Sequence, residues 1–121
     1  MNLIQENDLE SPNLHQRKAV VLNGVEIFIS DNEECANKFL DFIEQVVYLL
    51  ELNLHTNGGA IELKVVIDCA LNKPPYKTVF LSGLFDQETE YKILKAIQES
   101  TDMLVGCDFG KAIARITITN N

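Results

Sequence analysis

Four carboxylates, Glu34, Asp41, Glu44 and Glu51, are spaced by seven, three and seven residues. On a helix that spacing stacks them along one face, and Tyr48 falls among them. Aligned acids can hold a cation, exchange protons or attract a basic surface. Cation binding is the weakest of these, since acids two turns apart cannot share one ion and no calcium-loop pattern is present. Acid/base chemistry needs two carboxyls facing each other across a cleft, one of them buried. Attraction of a basic partner fits best, because an aromatic set among charges has the character of an interface anchor. A merely solvated helix face is the competing reading of the same residues.

The charge balance points the same way. Through Glu62 the chain carries 11 acids and 3 bases, and beyond it 7 of each, so the net charge of −8 resides in the first half. A one-sided acidic surface attracts bases and repels nucleic acid and anionic lipid. Direct nucleic-acid binding is not expected. No apolar run approaches the roughly 20 residues that cross a bilayer. The polar start, with Glu6, Asp8 and Glu10, does not look like a secretory signal.

Other reactive side chains form no recognisable constellation. Cys35, Cys69 and Cys107 are widely separated and lack a C-x-x-C pair, which argues against a disulfide framework or zinc site. They read as buried free thiols in a reducing, cytoplasmic protein. The histidines are His15 and His55, and neither is placed to activate a cysteine. Glu90 is the one acid expected near an apolar helix face, where stabilising the helix start outweighs a general-acid role. Asp68 and Asp108 read as residues flanking strand ends. Gly-rich phosphate loops, G-x-S-x-G and H-E-x-x-H are absent. No catalytic residue, metal ligand or cofactor is therefore assigned.

These residues need elements to hold them. Residues 1–16 read as a flexible leader and 17–121 as a single domain. Asn23-Gly24 between Lys18–Leu22 and Val25–Ile29 carries the sequence signal of a tight hairpin. Ser30 and Glu33 match a capping box that opens a helix to about Leu54. Its apolar half contains Cys35, Ala36, Phe39, Leu40, Phe42, Ile43, Val46, Val47, Leu49 and Leu50. Residues 60–69 alternate strictly, as a half-buried strand does. A stiff Pro74-Pro75 turn, a strand over Thr78–Ser82, and a helix from the Asp86 cap to about Ser100 follow. Ile93, Leu94, Ala96 and Ile97 form the apolar face of that helix. A last strand, Lys111–Thr119, is expected at a sheet edge, with Lys111 and Arg115 as guards against pairing. The fold class is α+β in the order ββαββαβ, an antiparallel sheet of about five strands with both helices on one face.

Three stretches give a resemblance: Ala60-Ile-Glu-Leu-Lys-Val-Val-Ile-Asp68, Leu84-Phe-Asp-Gln-Glu-Thr-Glu90 and Gly110-Lys-Ala-Ile-Ala-Arg-Ile-Thr-Ile118. Over about residues 35–119 the chain resembles the C-terminal domain of TonB-type proteins. The resemblance implies the order helix, strand, strand, helix, strand, and a partner bound by strand addition. Asn72-Lys-Pro-Pro75 replaces the family's Gly-rich turn, so energy transduction is not implied.

The sequence thus leads to a non-enzymatic protein-binding module with a basic protein as partner. Glu34, Asp41, Glu44, Tyr48 and Glu51 would make the contact, as in an immunity or inhibitor protein that masks a basic toxin or nuclease. The alternative is a domain that binds a peptide, or forms a homodimer, through an edge strand.

Overall fold

The computed structural model describes residues 18–29, 32–54, 59–70 and 72–120. The expected leader, His15, Ser30 and His55 lie outside them. Four strands and two helices run in the order β1 (Lys18–Phe28), α1 (Glu33–Asn53), β2 (Ala60–Cys69), β3 (Tyr76–Gly83), α2 (Gln87–Ser100) and β4 (Gly110–Asn120). A 3-10 turn, Thr101–Leu104, joins α2 to the segment before β4. The strands form one antiparallel sheet ordered β1-β4-β2-β3. The fold is α+β, as expected.

The strict alternation of β2 places Ile61, Leu63, Val65, Ile67 and Cys69 in the core. On β4, Ala112, Ala114, Ile116 and Ile118 join them. Against this face α1 sets Phe39, Phe42, Ile43, Val46 and Leu50, and α2 sets Ile93, Ala96 and Ile97. Phe39 is fully buried, with its ring 5.7 Å from Phe42 and 5.4 Å from Phe109. It ties the first turns of α1 to the segment preceding β4. The apolar stripe of α1 is narrower than its sequence suggests, because Leu40 is 41% exposed. Leu94 of α2 is likewise exposed.

Three expectations are corrected. The hairpin at Asn23-Gly24 is instead one unbroken strand. Such a turn needs positive φ at both central residues, and neither has it. All of β1 pairs with β4, and the register shifts between Leu22 and Gly24 so that Asn23 is the extra residue of a β-bulge. Asn23 donates to the Thr117 hydroxyl, which donates to Glu62 Oε1 at 2.9 Å, a link across three strands. The sheet therefore has four strands among the described residues, in the order βαββαβ, where about five strands and ββαββαβ were expected.

The second correction concerns β4, which is interior, flanked by β1 and β2 over its whole length. The edges are β1 and β3. Strand order is a long-range property that a C-terminal position does not reveal. The third concerns the cap of α1, which is Asn32: its side-chain oxygen accepts from the Cys35 amide at 3.2 Å. The Asp86 cap of α2 is as expected, accepting from the Thr89 amide at 2.8 Å. That bond lowers the Asp86 carboxyl pKa below its ordinary range.

Candidate functional site: the outer face of helix α1

Helix α1 buries one side under the sheet, so its opposite side must face solvent. Glu34, Asp41, Glu44 and Glu51 are all exposed there, and Tyr48 is 57% exposed. Among the described residues the ion pairs are Lys92–Glu88, Lys95–Glu99 and Arg115–Glu26, and none of these involves a ridge carboxylate. Lys38 is the sole base on α1, against five acids.

Position on the helix sharpens the electrostatics. Glu33 and Glu34 in the first turn complement the positive end of the helix dipole, but no base occupies the last turn. Glu51 stands there instead, at the negative end, where an acid is unfavourable. Asp41 and Glu44, three residues apart, also repel each other.

One contributor was missed in the sequence. Leu52 is 61% exposed and lies one turn beyond Tyr48, so the two side chains share the ridge. The four-residue interval from Tyr48 was the available signal. Together they form an apolar spot flanked by Glu44 and Glu51, the arrangement of an anchor with a charged surround.

The remaining candidates separate from this site. Glu90 is exposed on α2, not buried as a general acid in a cleft would be. Asp68 sits opposite Lys111 in the β2–β4 register. Asp108 borders a shallow depression with Glu33 and Glu34 at the start of α1. A second depression, on the open face of the sheet, is lined by Glu62, Lys64, Phe80 and Arg115. Its charges are already engaged: Arg115 with Glu26, Glu62 with Thr117, and Lys64 over the Phe80 ring at 4.9 Å.

The cysteines are buried free thiols, but they are not far apart in space. Cys107 and Cys35 lie close enough to influence each other, and both act electrostatically on Cys69. The fold gathers them from the first turn of α1, the end of β2 and the segment before β4. Burial, aided by Cys107, Asp68 and Cys35, pushes the Cys69 thiol up to about 12. Burial and the neighbouring Cys35 thiol push Cys107 up to about 11. Both are therefore poor nucleophiles near neutrality. No cluster of three or more His, Cys, Asp or Glu side chains suited to a metal ion occurs among the described residues. Among the described residues no helix is long and apolar enough to cross a membrane.

Comparison with protein families, with curated proteins and with solved structures gives no match.

Proposed function

We propose that this chain is a non-enzymatic binding module that docks a basic protein on the outer face of α1. The role that fits is an immunity or inhibitor protein masking a basic toxin, such as a nuclease, in the cytoplasm. The observation carrying this reading is the unpaired acidic ridge, with Glu51 at the unfavourable end of the helix and Tyr48 and Leu52 exposed within it. Asp41, Glu44, Tyr48 and Glu51 make the central contacts, and Glu34 lies at the rim. The carboxylates accelerate encounter and the apolar pair slows dissociation.

The test combines charge reversal with salt. Asp41→Lys with Glu44→Lys moves the net charge from −8 to −4 and removes no buried contact. Affinity purification from the native organism at low salt should lose the partner with this double variant. High salt should weaken capture by the wild type. Tyr48→Ala should cost about 1–4 kcal/mol of binding. Unchanged melting temperatures would show that the fold is intact. Equal recovery of the same partner by wild type and double variant would end the proposal.

A further inference from the structure

We infer that a second copy of this chain pairs along the free edge of β3, with the exposed side of α2 completing the contact. The two sheet edges differ. β1 is interrupted by the Asn23 bulge and carries Glu26, and bulges and charges are the usual devices that discourage edge pairing. β3 pairs with β2 in uninterrupted register, and residues 78–83 are Thr-Val-Phe-Leu-Ser-Gly, without charge. A regular edge with an uncharged run of this kind invites another strand.

The helix beside this edge carries two exposed apolar side chains on the matching side, together with Lys95 and Gln98. Lys77 of β3 donates to Gln98 of α2, which fixes the flank of α2 that overhangs the edge. Tyr91 and Leu94 lie seven and four residues before Gln98, so they share that flank. Tyr91 is 63% exposed and Leu94 is also exposed. Leu84, directly after β3, is 84% exposed, and Phe80 on the open face is 52% exposed. These side chains extend the contact beyond the strand itself, as a specific interface of ~800 Å² per partner requires.

Two features select a second copy over an isolated extended peptide. A two-fold axis across β3 sets the same mixed surface on both sides, strand against strand and helix flank against helix flank. A lone peptide strand supplies no helix flank. The charge distribution also permits it: residues 63–121 are neutral, so the excess that would drive two copies apart lies elsewhere. The inference does not depend on the α1 ridge.

Sedimentation equilibrium of the full chain up to roughly 100 µM, with amide exchange, tests this. The expected mass is twice 13.6 kDa. In the dimer all interior β3 amides are protected, whereas in a monomer those pointing outward exchange quickly. Tyr91→Lys with Leu94→Lys alters exposed positions only, and should raise the dissociation constant at least roughly tenfold. It should also release the outward amides while leaving the far-UV spectrum unchanged. A wild type that remains monomeric overturns the proposal. So does a dimer with fast-exchanging β3 amides, or one indifferent to the double variant.

Discussion

Replacing Gly24 by alanine separates a bulged strand from a hairpin by the sign of the effect. In a tight hairpin turn Gly24 would need a left-handed backbone, and an added Cβ would cost about 1–2 kcal/mol. In the structure its φ lies outside that region, and a Cβ would meet nothing within 4 Å. Alanine then only restricts the unfolded chain, which stabilises by about 0.4–1 kcal/mol. Gly110→Ala is the counterpart. Gly110 has φ +87°, and its Cβ would stand 2.7 Å from the Phe28 carbonyl oxygen and 3.0 Å from that of Ile29. The left-handed penalty of about 1–2 kcal/mol adds to about 1–3 kcal/mol for forcing β1 from β4. Urea titration of both variants gives the answer: the midpoint should rise by a few tenths molar for Gly24→Ala and fall steeply for Gly110→Ala, with the slope unchanged. A loss of 1 kcal/mol or more for Gly24→Ala would refute the bulge and restore the turn.

Two further outcomes follow from the core. Because the folded state holds Cys69 and Cys107 protonated above their ordinary 9.0, their contribution to stability is intact below about pH 9. It is lost as pH rises toward about 11 to 12, by up to about 1.4 kcal/mol per pH unit for each thiol. Urea midpoints measured from about pH 8 to 11 should fall less steeply for Cys69→Ala than for the wild type, and parallel curves would contradict this. Phe39→Ala removes a fully buried ring with two aromatic neighbours and should cost about 3–5 kcal/mol. A change below about 1 kcal/mol would mean that α1 is not anchored there.

Legibility from sequence follows the range of the interaction involved. Burial in α1 and β2 was readable because one-sided packing imposes a period on neighbouring residues, and the Asp86 cap because it acts across three residues. Asn23-Gly24 misled because turn and bulge share a composition, and what decides between them is β4, whose Thr117 lies 94 residues away. The same distance hid the interior position of β4. The cysteines converge only because α1, β2 and the segment before β4 meet, and no local spacing records that. The ridge was legible as a pattern of charge. The lack of neutralising partners among the described residues was not, because that depends on where the lysines and arginines end up.

The placement of β1 links these observations. By covering β4, this strand satisfies the edge that a C-terminal strand would otherwise present, and its bulge and charges make the new edge unattractive. The proposed strand addition is thereby left to β3, on the neutral half of the chain. Pairing there brings together surfaces without net charge, and electrostatics oppose it far less than a contact between two α1 ridges. In the proposed dimer the acidic face would remain uncovered in each protomer, because an interface made from β3 and α2 does not use α1. Segregated charge thus makes the two proposals compatible: self-association through one half of the chain would leave the other half's acidic field free for the proposed basic partner.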